Sequence, residues 1–326
     1  MRILFITPGP LGDTVLSTGA LRYFLEKYPE SRVTIVCGPL GVSLFEGLEN
    51  CHQIIILKKK AYHLHWLELW KKVRGQRWDI VIDMRDSPLS RVLNAKKRYI
   101  KTKNSYRSGD HLVRQNAHVI GLKEQIPAPQ IWVSQNQEQQ AKMYLGRESK
   151  ILAVGPTANF PGKMWPSEYY IELLKELIAP GGVFDDYKVA VFGAPDEIEQ
   201  AQPITKAIGK DNSIDLVGKT DPGTAAACLD HCAFYIGNDS GLTHCAAARG
   251  LPVLALFGPS RDENYRPWGS KCDFIRTPES RDELIGYKGF DSSKITKSMM
   301  ANLKVKDVLQ KIQEMKKLQD QVKPNH

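Results

Sequence analysis

What most constrains this chain is a pattern that runs through it twice. Short, uninterrupted apolar runs alternate with stretches of helical periodicity. RILFI (2–6), VTIVC (33–37), QIIIL (53–57) and DIVIDM (79–84) are continuous runs, as expected of strands covered by helices on both faces of a parallel sheet. Between them, Leu11, Val15, Leu16, Leu21 and Phe24 mark the inner face of a helix from about 11 to 28, and a Trp- and Leu-rich helix fits near 62–74. A second series follows, with strands ILAVGP (151–156), YKVAVFG (187–193), FYIGN (234–238) and PVLALFG (252–258), and helices near 166–179, 196–207, 222–231 and 241–249. Alternating strands and helices imply a doubly wound α/β fold.

At 326 residues the chain exceeds the ~250–300 residues that one core supports, so two similar Rossmann-like domains facing a cleft are expected. The pattern stops between 123 and 149, in LKEQIPAPQIWVSQNQEQQ, which reads as the exit from the first domain with a short helix around 136–146. The expected division is 1–148, 149–303, and a terminal helix and tail over 304–326, where Val305, Val308, Leu309, Ile312 and Met315 recur at helical spacing.

Charge is unevenly shared. The net +9 resolves into +11 for residues 1–150, which hold 24 Lys and Arg against 13 Asp and Glu, and −2 for the rest. The clusters are Lys58-Lys59-Lys60, Lys71-Lys72, Lys96-Lys97-Arg98 and Lys101, Lys103, Arg107. Such a surface draws anionic partners, although any one cluster is also what a solvated face looks like. The cations are not interleaved with aromatics as in an RNA-binding motif, so nucleic acid is not the expected partner. No apolar run approaches the ~18 residues of a membrane span, and MRILFITPGP does not read as a signal peptide. Six cysteines without framework spacing fit reduced thiols in a cytoplasmic protein.

In open α/β sheets, ligands bind beyond the carboxyl ends of the strands, so the turns after strands carry the candidates. TPGPLGDT (7–14) follows the first strand and offers Asp13, either a carboxylate stabilising its helix start or a group facing a ligand. In IGNDSGLTHCAAARG (236–250), Gly237 permits a tight turn and Asn238, Asp239 or Ser240 caps the next helix. Gly241 with Ala246 to Ala248 allows close approach of backbone and helix, and the free N–H groups of the helix start suit a phosphate, although an ordinary capped helix without a ligand reads the same way. His244 is either packed core or part of that site. Lys163 lies in a Gly/Pro-rich loop before Trp165-Pro166, and Glu197 follows the strand at 187–193, where a carboxylate can accept ribose hydroxyls. GxGxxG, the P-loop and the GxSxG elbow are absent. Cys228, His231, Cys232, His244 and Cys245 lack the paired spacing of a zinc site, so no metal is expected.

Taken in order, a strand then LGD, the loop lysine before Trp-Pro, Gly-x-x-x-Glu after a strand, and GNDSGLTHCAAARGLPVLALFGP resemble the bacterial ADP-heptose:lipopolysaccharide heptosyltransferases of glycosyltransferase family 9. Matching features run from Ile3 to about Trp268. The resemblance implies a GT-B architecture, with an N-terminal acceptor domain and a C-terminal nucleotide-sugar domain. It also implies an inverting, metal-independent transfer without cofactor. It assigns Asp13 as general base, Lys163 with the backbone at Asp239, Ser240 and Gly241 to the diphosphate, and Glu197 to the ribose, with Asn238 and His244 in the same donor site. Thr157 and Asn159 stand where the family often carries Ser or Thr pairs, and Leu242-Thr243 replaces a common Pro-Met. Gly12, Lys58, Lys59, Lys60, Arg85 and Arg107 are the candidates for the acceptor. The implied partners are ADP-heptose, or a related nucleotide sugar, and an anionic lipopolysaccharide inner-core acceptor at the inner face of the inner membrane. The alternatives are a same-fold transferase with another donor and a non-catalytic nucleotide-sugar-binding protein.

Overall fold

Ile3, Leu4, Phe5 and Ile6 are fully buried, which puts the first strand at the centre of a sheet. The computed structural model describes residues 1–105 and 109–322, so Arg107 lies outside the described residues. The chain divides into two compact units, Met1–Gln135 and Asn136–His326. In the first, β1 (Arg2–Ile6), α1 (Leu11–Lys27), β2 (Arg32–Cys37), β3 (Cys51–Ile56), α2 (Leu64–Val73), β4 (Trp78–Asp83), α3 (Leu89–Val92), β5 (Ala95–Ile100) and α4 (Leu112–Val119) follow one another. The sheet order is β3-β2-β1-β4-β5, with every pair parallel. All strand carboxyl ends therefore share one edge, and the turn carrying Asp13 opens from the middle of it.

The second unit contains α5 (Gln135–Leu145), β6 (Ile151–Gly155), α6 (Ser167–Ile178), β7 (Lys188–Val191), α7 (Ile198–Ile208), β8 (Ser213–Asp215), α8 (Pro222–Leu229), β9 (Phe234–Asn238), α9 (Gly241–Ala248), β10 (Val253–Phe257), α10 (Asp262–Tyr265), β11 (Cys272–Arg276), α11 (Arg281–Ile285) and α12 (Val305–Val322). Its sheet is again all parallel, in the order β11-β10-β9-β6-β7-β8. Val305, Val308, Ile312 and Met315 of α12 are buried in the same core as Leu152, Val154 and Leu173, so the terminal helix completes this unit.

The boundary falls earlier than 148, between Gln135 and Asn136. Residues 123–134 belong to the first unit. Gly47 N–H donates to Trp132 O, Trp132 stacks on Phe45 at 5.8 Å, and Gln130 N–H reaches Thr18 Oγ1 at 2.8 Å. Gly19 is required here, because a Cβ would sit 2.3 Å from Pro127 O. The helix after this strap turns Gln137, Ala141 and Leu145 inward and joins the second unit through Tyr144 Oη to Lys219 O (2.8 Å) and Thr224 Oγ1 to Gln140 Oε1 (3.0 Å).

One buried tyrosine links the second sheet to the turn between β9 and α9. A Cβ at Gly155 would lie 2.0 Å from the Tyr235 hydroxyl oxygen, and one at Gly237 2.4 Å from it. That hydroxyl sits 3.2 Å from Thr243 Oγ1, which donates to Asn238 O at 2.6 Å in the first turn of α9. The two glycines thus make room for the ring that steadies the helix start. Gly155→Ala is expected to destabilise the protein by about 1–3 kcal/mol, as other overpacked cores are. Part of the loss should return in a Tyr235→Phe background, measured by denaturant unfolding; equal losses in both backgrounds would refute the contact.

Candidate active site

At the carboxyl end of β9, Asp239 is almost fully buried, and a buried carboxylate needs a partner. Lys163 supplies it, with Nζ 2.7 Å from Asp239 Oδ2. This lysine belongs to the short 3-10 turn Pro161–Lys163, in the loop that follows β6. His244 Nε2 lies 3.9 Å from Asp239 Oδ1, one turn inside α9. Burial alone pushes the Asp239 carboxyl up, but Lys163 and then His244 outweigh it and hold it below its ordinary value. Beside this cluster, α9 begins at Gly241 with Ser240 as its N-cap, and the Ser240 side chain makes no capping hydrogen bond to the first amides. N–H groups at a helix start, together with the helix dipole, are suited to an anion, and here they lie next to the Lys163–Asp239 pair.

Asn238 frames the site from behind. Its Oδ1 accepts from Trp165 N–H (3.1 Å) and Tyr170 Oη (3.0 Å), while Nδ2 donates to Pro156 O (2.7 Å). Both ends of the loop after β6, at Pro156 and Trp165, and Tyr170 of α6 are thereby tied to one amide at the end of β9. Thr157 and Glu197, from different turns, meet each other: Thr157 Oγ1 donates to Glu197 Oε2 at 2.6 Å, and the Ala194 N–H donates to the same oxygen at 2.8 Å. Asn159 is exposed on the loop between Thr157 and Lys163.

In the first unit, Asp13 is in the first turn of α1, partly exposed, at the carboxyl edge of the sheet. Gly12 precedes it in the same turn. Beside Asp13 stands Lys101, just after β5. Its Nζ donates to Asn116 Oδ1 at 2.7 Å, and Asn116 Nδ2 donates to Leu16 O of α1 at 2.9 Å, so the lysine is tethered to the helix that carries Asp13. Burial pushes the Lys101 amine down to about 8, with Asp13 pulling the other way. It remains mostly cationic at neutral pH.

Arg85, after β4, is held by a turn built on Asp83. The carboxylate accepts from Arg85 N–H, Ser87 N–H (both 2.8 Å) and Ser87 Oγ (2.5 Å). The guanidinium lies 5.4 Å from the Trp66 ring centroid and is 3.8 Å from where a Gly9 Cβ would be, next to the turn leading to Asp13. Lys58, Lys59 and Lys60 are exposed in the loop after β3.

Two charged neighbours of these candidates are not singled out by the sequence alone. Lys101 reads as one member of a basic cluster, since the strand before it is itself charged. Asp83 reads as part of the apolar strand DIVIDM. The signal for both was a charged residue where a strand stops.

Residues 66–284 match glycosyltransferase family 9 (heptosyltransferase). The lipooligosaccharide heptosyltransferase 2 of Haemophilus influenzae is 31% identical, over 97% of this chain and 99% of its own. The lipopolysaccharide heptosyltransferase 2 of Salmonella typhimurium is 26% identical, over 85% of this chain and 88% of its own. Among solved structures, E. coli ADP-heptose lps heptosyltransferase II superposes with a TM-score of 0.76 at 22% identity, covering 99% of this chain and 100% of that one. This chain belongs to glycosyltransferase family 9, and its fold is the GT-B fold of the heptosyltransferases. It is a glycosyltransferase.

The Lys163–Asp239 pair has a measurable consequence. Because the folded carboxyl value lies below the ordinary 3.8, its stabilisation is fully present above that pH and is lost as pH falls through the folded value. Lys163→Met is expected to cost about 2–3 kcal/mol, less than for a wholly buried pair since the lysine side chain is 28% exposed. Asp239→Asn combined with Lys163→Met should cost less than the sum of the single changes in a denaturation cycle. Strict additivity would show that the two do not interact.

Proposed function

We propose that this protein transfers a heptose from ADP-heptose, with inversion, to an anionic lipopolysaccharide inner-core acceptor. The observation that carries the donor half is the uncapped start of α9 beside Lys163, whose Nζ is fixed 2.7 Å from Asp239. A diphosphate seated there gains helix N–H donors and one rigid cation, without side-chain rearrangement at the moment charge develops. Glu197, held by Thr157 and Ala194 N–H, offers its carboxylate to the ribose hydroxyls. The curated relatives named above are lipopolysaccharide and lipooligosaccharide heptosyltransferases, which favours heptose over other sugars. One solved structural relative is an E. coli heptosyltransferase with ADP.

On the acceptor side, Asp13 is the general base. As the acceptor oxygen attacks the anomeric carbon, its proton passes to the Asp13 carboxylate while the bond from that carbon to the diphosphate oxygen breaks and the electron pair leaves with the diphosphate. The carbon passes through an oxocarbenium-like state, so attack comes from the face opposite the leaving group and inverts the centre. Lys101 sets a cation beside the base and Arg85 another along the same sheet edge, which suits an acceptor bearing carboxylate or phosphate. Gly12 keeps the turn before Asp13 free of side chain. Lys163 and the α9 N-terminus supply the positive charge for the leaving diphosphate, so the reaction needs no divalent metal.

Asp13→Asn should lower kcat by about 10²–10⁴-fold while ADP affinity stays within about twofold. Radiolabelled transfer and calorimetric titration read the two separately. Turnover in the wild-type protein should survive a chelator. Unchanged kcat in Asp13→Asn removes Asp13 from the mechanism, and loss of turnover on chelation restores a metal to it.

A further inference from the structure

We infer that the segment from Ile56 through α2 to Arg74 is a docking surface for an anionic lipid bilayer. Its purpose rests on the lipid-borne acceptor proposed above, whereas its chemistry stands independently.

The segment breaks the usual partition of a soluble surface. Tyr62 is 93% exposed, Leu64 49%, Leu67 48% and Ile56 47%. On α2, His65, Leu69 and Val73 face inward, so the two leucines occupy the outward face with Lys71 and Lys72. An outward helical face normally carries polar side chains, and apolar ones beside cations mark a contact surface. Tyr62 and His63 both adopt left-handed backbone, at φ 51° and 57°, a conformation that bulky residues avoid. The turn is anchored from below. Lys60 N–H donates to the Nδ1 of buried His65 at 3.3 Å, and the His65 ring lies 4.9 Å from that of Trp66. The tyrosine at its tip is thereby presented outward with no packing of its own.

Charge selects the partner. Residues 56–74 hold six Lys and Arg against one carboxylate, Glu68, which Lys60 already pairs at 2.6 Å. A second copy of the same face would be repelled. A soluble polyanion would leave the leucines and Tyr62 in water. An anionic bilayer satisfies both sets at once, with lysines at the headgroups, tyrosine at their depth and leucines reaching the acyl boundary. The position fits as well. Because the sheet is all parallel, the loop after β3 leaves the same edge as the turn bearing Asp13. A bilayer seated on Lys58 to Lys72 therefore faces the edge at which a lipid-borne acceptor has to arrive.

The experiment is co-sedimentation of the full chain with phosphatidylcholine vesicles, with and without phosphatidylglycerol, in the absence of donor and acceptor. Wild-type protein should bind the anionic vesicles and release as salt rises. The triple variant Tyr62→Ser, Leu64→Ser, Leu67→Ser should bind about tenfold more weakly, because the apolar part of the contact is gone. Its ADP affinity and its transfer to a soluble, delipidated acceptor should match wild type. Equal vesicle binding by variant and wild type, or no wild-type binding to anionic vesicles, overturns the inference. Conversion of a dimer to a monomer by the triple change would make the face a self-interface and overturn it equally. Vesicle binding that persists while transfer to the soluble acceptor fails strikes the proposed function and leaves the docking surface standing.

Discussion

A carboxylate that is nearly inaccessible to water cannot stand alone, and much of the second unit is arranged around that constraint. Asp239 closes β9, and its partner Lys163 comes from the loop after β6, so one ion pair locks two neighbouring turns together. Asn238, one residue earlier, makes two hydrogen bonds to the same loop after β6 and a third to Tyr170 of α6. Tyr235 fills the space left by Gly155 and Gly237 and reaches Thr243 in α9. Every one of these contacts fixes backbone around the start of α9. A helix N-terminus is a weak anion site when it is mobile and a strong one when it is preorganised, because reorganisation at the moment of reaction then costs little.

The first unit solves a different problem. On the proposed mechanism, its base has to be ionised, partly accessible and close to an anionic acceptor. Placing Asp13 in the first turn of α1 sets it against the positive end of the helix dipole. Tethering Lys101 through Asn116 to the same helix adds a cation whose position is set by hydrogen bonds. Arg85, braced by the Asp83 turn and lying over Trp66, extends the positive edge on another strand. The excess of basic residues in the first half of the sequence is thus partly built structure and partly exposed surface, as at Lys58 to Lys60.

The central strands and their helices were legible because burial on both faces leaves an apolar run with no polar interruption. β5, β8 and β11 were not, and each lies at a sheet edge, where one side is open and the sequence is free to carry AKKRYI or CDFIR. The boundary was misplaced for a related reason. The strap over residues 123–134 has no periodicity, yet backbone hydrogen bonds and the Trp132–Phe45 stack bind it to the first unit. Candidates on turns after central strands, such as Asp13, Lys163, Glu197 and Asp239, stand out from position and residue type alone. Those whose role depends on a partner distant in sequence do not. Nothing local to Lys101 announces Asp13, and nothing local to Asn238 announces Trp165 and Tyr170.

The central claim is that the second unit holds an adenosine diphosphate sugar at the start of α9. Thermal and calorimetric titration with ADP, UDP, GDP, CMP and ADP-heptose tests it most directly. A ligand at ~100 times its dissociation constant adds about 2.7 kcal/mol to the folded state, a shift that is easily measured. The account predicts selective stabilisation by ADP and a larger effect from ADP-heptose. Stabilisation by a different nucleotide in place of ADP, or by none of the five, would contradict it.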